Sequence, residues 1–220
     1  MSELARTQER EGEQKEWMVR TLVVLQAPRG VFAALRDDSP AASAARSEAV
    51  LALVILAGMG LLLLTPEAGS VLDSSEYDGA IFAIWLFIVG GAMGAAVYWG
   101  LGAIVYGATS WLGSLGSYRR ARHLVGFALA PLALSLVVML PLRLAFFGGD
   151  AFRSGGSDSG TRGLALALLG WAFAAWAVAL AVVGVRAVHA WTWERALAAT
   201  GASAAVVAVI GLLELLVGQT

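Results

Sequence analysis

Apolar residues in this chain come in blocks. After a polar start at 1–16, they fill about 48–64, 79–111, 124–147, 163–188 and 196–217, with short charged or Gly-rich segments between them. Blocks this long and uniform predict helices that are apolar on every side, which a soluble globule cannot bury. The expected fold is all-α: a polytopic integral membrane protein of five transmembrane helices, preceded by a cytoplasmic amphipathic segment. The first block covers roughly 25 Å at 1.5 Å per residue and must sit upright. The second, near 50 Å, exceeds a bilayer core of about 30 Å. It is read as one tilted span, because two spans would need about 34 residues and a turn.

Ahead of the spans, 1–16 reads as a solvated tail. The stretch 17–46 reads as an interfacial segment on the inner membrane surface. Within it Pro28 suits the first turn of a helix, and Val31, Phe32 and Leu35 then recur at helical spacing. Pro131 and Pro141 lie inside the third span and predict kinks, since each removes a helix hydrogen bond. The 148–162 stretch reads as a flexible Gly/Ser loop.

Charge supplies the orientation. Of the 15 Lys and Arg, twelve fall in the N-terminal segment and in the loops after the second and fourth spans, among them Arg119, Arg120 and Arg122. Three (Arg143, Arg153, Arg162) fall on the other side, and the 65–78 loop has none. The positive-inside rule then puts the N-terminus in the cytoplasm and Asp73 and Thr220 outside. Trp85 and Trp171 near outer ends, with Trp111, Trp191 and Trp193 near inner ends, form the matching aromatic belts.

Composition narrows the function classes. Hydrophobic residues make up 59% and charged ones 14%, against about 25% charged in soluble domains. A net charge of −1 gives no drive toward nucleic acid. With no cysteine, no disulfide or thiolate chemistry is available. Abundant Ala, Gly, Leu and Arg with a single lysine suggest a GC-rich bacterial genome, hence a bacterial cytoplasmic membrane.

Candidate chemistry is sparse. Ser203, in Gly201-Ala202-Ser203-Ala204, is similar to the nucleophile motif of intramembrane rhomboid proteases, but alanine stands where that motif has glycine. The only histidines, His123 and His189, fall at inner ends, away from a base position, and two histidines make a poor metal site. The expectation is no enzyme, no cofactor and no metal. Glu214 is the acid set deepest in an apolar run, and the topology puts it at the depth of Arg143. The favoured reading is an ion pair locking two helices; the alternative is a small transporter or channel subunit using Glu214. Small residues crowd the second span (Gly90, Gly94, Gly100, Gly107) and the fifth (Gly201, Gly211). They serve packing within the chain and would also allow a homo-oligomer. Trp17, Phe32 and Leu35, set beside Arg119, Arg120 and Arg122, form the candidate docking face for membrane lipids, another membrane protein or a cytoplasmic protein.

The order of these features resembles the Yip-domain family, the Ypt/Rab-interacting membrane proteins and their bacterial relatives. Leu25-Gln26-Ala27-Pro28 followed by Val31-Phe32-Ala33-Ala34-Leu35 is similar to the family's Pro-x-x-x-Phe-x-x-Leu opening segment. The third span opens with Tyr118-Arg119-Arg120-Ala121-Arg122 and carries Ala130-Pro131 in mid-helix, and the fourth ends in Val185-Arg186-Ala187-Val188. The resemblance covers about 24–216. It implies a five-span membrane adaptor, linked in eukaryotes to vesicle trafficking through small GTPases.

Overall fold

A computed structural model of the chain describes residues 3–65, 79–150 and 161–217, with 68, 71, 73, 153 and 155–157 between them. The helices run α1 Glu3–Val23, α2 Pro28–Ala34, α3 Pro40–Leu62, α4 Gly79–Trp111, α5 Tyr118–Ala128, α6 Ala130–Phe147, α7 Thr161–His189 and α8 Trp193–Val217. Five stretches are long and apolar enough to cross a membrane: Pro40–Leu62, Gly79–Trp111, Tyr118–Asp150, Gly163–His189 and Trp193–Glu214. The chain is therefore a multi-pass membrane protein, and the second block is one continuous helix, α4. The acidic 65–78 loop, much of the 148–162 linker and Thr220 lie largely or wholly outside the described residues.

Local sequence explains most boundaries. Ser39 caps α3, its Oγ accepting from the Ala42 N–H at 3.3 Å, and Pro40 follows at the first turn, where no N–H is needed. The first span therefore starts at Pro40 rather than near 48. Ser117 caps α5 in the same way, accepting from the Arg120 N–H at 3.0 Å, so the third span opens at Tyr118 rather than near 124. Proline interrupts this span locally at one residue, Leu129, which keeps a right-handed helical backbone. The ring of Pro131 cannot donate, and the helix breaks at Leu129, with Pro131 in the first turn of α6. Pro141 stays inside α6, which runs on to Phe147.

The N-terminal region departs from expectation. Helix α1 starts at Glu3, so the polar stretch and the apolar one after it form a single helix rather than a tail and a surface segment. Trp17, Phe32 and Leu35 do not face lipid: they are 7%, 0% and 0% exposed. Trp17 packs on Phe127 at 5.5 Å between ring centroids. Phe32 packs against Gly184 of α7, where a side-chain carbon would come within 2.9 Å of the ring. The reason is competition for apolar surface. The bundle offers α1 and α2 a groove, and burial there removes more area from water than contact at the headgroups would. The apolar side of α1 left exposed is Met18, Val19 and Leu22.

The core forms around two of the five spans. In the third span 72% of the most apolar window is buried and in α3 56%, whereas 17–22% is buried in the other three. Helix α3 packs on α1, α4, α5 and α6, while α7 and α8 close the far side. The outer faces of α4, α7 and α8 present Ile84, Phe87, Leu168, Trp171, Val209 and Leu213, as lipid-facing helices should. Helices α3 and α4 meet backbone to backbone. A Cβ on Gly58 would lie 2.1 Å from Gly90 O, and one on Gly94 would lie 2.1 Å from Val54 O. Gly90 and Gly94 thus serve packing within the chain. Gly100, Gly107, Gly201 and Gly211 face open space.

Candidate functional site, a polar junction at one end of the bundle

Several segments far apart in sequence converge at one end of the bundle: the α2–α3 connection, the α4–α5 connection and the α7–α8 turn. At the centre is Arg46, fully buried on α3. Its Nε donates to His123 Nδ1 at 2.6 Å, Nη1 to Asp37 O at 2.7 Å, and Nη2 to Ser43 Oγ at 3.2 Å and Asp38 Oδ1 at 3.4 Å. The guanidinium also lies 5.8 Å from the Trp17 ring. A buried charge is tolerated only when its donors are met, and here a carboxylate, a carbonyl, a hydroxyl and an imidazole meet them. Because His123 Nδ1 accepts, its proton sits on Nε2.

From this centre the network spreads along the same end. Ser117 Oγ donates to Asp38 Oδ2. Asp37 accepts from the Ser39 N–H at 3.0 Å, which holds its carboxyl below the usual carboxylate range. Arg120 Nη2 donates to Arg36 O at 2.8 Å. Arg36 donates to Ala187 O through Nε at 3.0 Å and Nη2 at 2.5 Å. Arg195 donates to Leu112 O. Ser114 Oγ lies 3.0 Å from His189 Nδ1.

Three of these arginines spend N–H groups on carbonyls at or just beyond helix ends, which no helix hydrogen bond reaches. They hold the connections together, a role the sequence reading had not assigned them. Arg122 stacks instead over Tyr118 and Tyr98, at 4.8 and 5.5 Å, and Arg119 points to the outside.

The turn between α7 and α8 has its own geometry. The Trp191 N–H donates to Arg186 O at 3.1 Å across Ala190, which adopts a φ of 53°. This closes α7 with a left-handed residue of the kind glycine usually supplies. The turn sets Trp191 under the Arg195 guanidinium at 4.3 Å and Trp193 under that of Arg186 at 4.3 Å. Between this turn and α2 lies a cavity of about 290 Å³ lined by Arg29, Ala33, Arg36, Arg186, Ala187, Ala190 and Trp191.

Other sequence candidates separate. Among the described residues no ion pair joins Arg143 to Glu214. Arg143 is on α6, which packs on α3 and α7, whereas Glu214 is on the exposed side of α8, which packs on α4 and α7. Equal depth in the bilayer did not bring the two together, because the helices carrying them are not principal neighbours. Arg143 lines a small cavity with Gly60, Leu63, Leu64 and Ser135. Neither that cavity nor the one beside α2 includes Glu214. Ser203 is buried and donates to Ala199 O of its own helix at 2.9 Å.

Five apolar spans, with arginines at one end that hold the helix connections together, define a multi-pass membrane protein. The Yip1 domain matches residues 22–215, and the chain belongs to that family, a membrane-associated, non-catalytic domain related to trafficking. No curated protein and no solved structure matches the chain.

Proposed function

We propose that this protein is a non-enzymatic membrane adaptor or accessory subunit that organises lipid or partner proteins at the cytoplasmic face of a bacterial cytoplasmic membrane. One observation carries this reading: α1, α2, the arginine junction and the α7–α8 turn all converge on the end of the bundle that the charge asymmetry assigns to the cytoplasm. Outward there lie Met18, Val19 and Leu22 together with Arg119 and Arg29, a mixture of apolar and basic groups suited to headgroups or an amphipathic protein surface. The docking face is therefore assigned to the outer side of α1 rather than to Trp17, Phe32 and Leu35.

Because the chain has no cysteine, single cysteines report topology cleanly. With a membrane-impermeant maleimide on intact cells, Asp73→Cys should label and Arg119→Cys should label only after permeabilisation. Labelling of the Arg119→Cys protein from outside would overturn the orientation. In co-purification from native membranes, Met18→Ser, Val19→Ser and Leu22→Ser together should remove partners that the parent chain retains. Full retention by that triple variant would overturn the docking role of α1.

A further inference from the structure

One of the arginines that grip carbonyls, Arg36, also belongs to a second grouping. Arg29, Arg36 and Arg186 line one cavity, and no carboxylate lines it with them. The acids closest in sequence form no ion pair with them among the described residues: Asp37 accepts from Ser39, and Glu194 is exposed on the first turn of α8. Arg186 Nε is buried and meets no acceptor among the described residues. Arg36 spends Nε and Nη2 on Ala187 O, and its Nη1 has no protein acceptor among them. Arg29 and Arg186 flank the Trp193 ring, at 6.0 and 4.3 Å. Three like charges are thus drawn to one cavity, two of them beside an aromatic face and one with a buried donor unmet, and no carboxylate among the lining residues balances them.

The surroundings specify that counter-charge. Three guanidinium groups suit the oxygens of a phosphate better than a single carboxylate. The carboxyl end of α7 would repel an anion, but two of its last carbonyls are already covered, Ala187 O by Arg36 and Arg186 O by the Trp191 N–H. Trp191 and Trp193 put the cavity at the membrane–water boundary, where headgroups lie. At about 290 Å³ it is at the small end of ligand sites, with room for a glycerophosphate headgroup.

We propose that this cavity binds the phosphate of an anionic phospholipid headgroup, with Arg29, Arg36 and Arg186 as donors and Trp191 as its wall. The proposal adds a lipid site at the same end of the bundle as the docking face on α1, and it rests on that reading only for the leaflet concerned.

The test uses the full chain in a neutral detergent, titrated calorimetrically with short-chain phosphatidylglycerol, short-chain phosphatidylcholine or inorganic phosphate. Phosphatidylglycerol should bind saturably at one site and more tightly than phosphatidylcholine. Arg29→Gln with Arg186→Gln should weaken it by roughly 10- to 30-fold, since each basic group near a headgroup contributes about one factor of five. Arg20→Gln, which removes the Glu16 pair and the Trp17 stack on α1, should leave it unchanged. Ala33→Glu puts a carboxylate at the cavity wall without touching the arginines, and should abolish binding even if the double variant folds poorly. Equal binding of both lipids, or undiminished binding by the double variant and by A33E, would overturn the proposal. Binding of inorganic phosphate without phosphatidylglycerol would overturn the lipid as its source. Retention of every partner by the α1 variant with phosphatidylglycerol binding intact would fail the adaptor reading alone; loss of partners in that variant with equal binding of both lipids would fail this proposal alone.

Discussion

The seam between α3 and α4 gives the sharpest energetic test, because Gly58 on α3 and Gly94 on α4 sit in it while Gly100 and Gly107 on α4 lie outside it. A Cβ on Gly94 would lie 2.1 Å from Val54 O and 3.2 Å from Gly58 Cα, where ordinary contact begins at 3.4 Å. Gly94→Ala therefore requires about 1.3 Å of extra separation, and the obstacle is backbone, which cannot rotate aside. Overpacking of this kind costs ~1–3 kcal/mol, and the opened seam also forfeits dispersion contacts on either side. Alanine's better helix propensity returns at most about 1 kcal/mol. A net loss of ~1–2 kcal/mol is expected. Gly58→Ala meets the same contact from the other side, at 2.1 Å from Gly90 O, so the two substitutions should not add. Gly100→Ala and Gly107→Ala meet nothing within 4 Å and should be neutral or stabilising. Unfolding followed by circular dichroism, as SDS is titrated into the purified protein in mild detergent, ranks all four variants. Stability of Gly94→Ala at or above the parent, or an equal loss in Gly100→Ala, would refute the reasoning.

Three further outcomes are expected. Ala190→Gly should raise stability by about 0.5–1 kcal/mol in the same assay, because the left-handed φ of 53° strains an alanine and not a glycine; a loss would mean that the alanine side chain is needed there. His123→Ala should cost about 2–3 kcal/mol, since it leaves Arg46 Nε without an acceptor in a fully buried guanidinium; an unchanged unfolding midpoint would show that His123 is dispensable to the junction. Substituting Arg143 and Glu214 by glutamine, singly and together, should give a coupling energy below about 0.5 kcal/mol, as for side chains that do not meet; a larger coupling would restore the ion pair.

Local pattern and composition determined a good deal of this protein. The five apolar blocks, the continuous span at 79–111 and the family resemblance are visible in the chain because each depends on neighbours in sequence. A span needs an unbroken apolar run, and a Ser-Pro or Ser-Tyr start caps the helix that follows it. The Ser39-Pro40 and Ser117 caps, which the apolar blocks alone do not reveal, start two helices ahead of those blocks. Tertiary structure alone decided which faces meet. Trp17, Phe32 and Leu35 look like membrane anchors by spacing, yet the bundle buries them, because lipid and protein interior are equally apolar and the pattern cannot separate them. Arg143 and Glu214 stand on α6 and α8, which are not principal neighbours. Arg46 looks like one more topology-setting arginine until Asp37, Asp38, Ser43 and His123 supply its acceptors, and Arg29, Arg36 and Arg186 become a single site only when α2 lies against the end of α7. Each of these depends on long-range packing, which fixes distances that no local spacing contains.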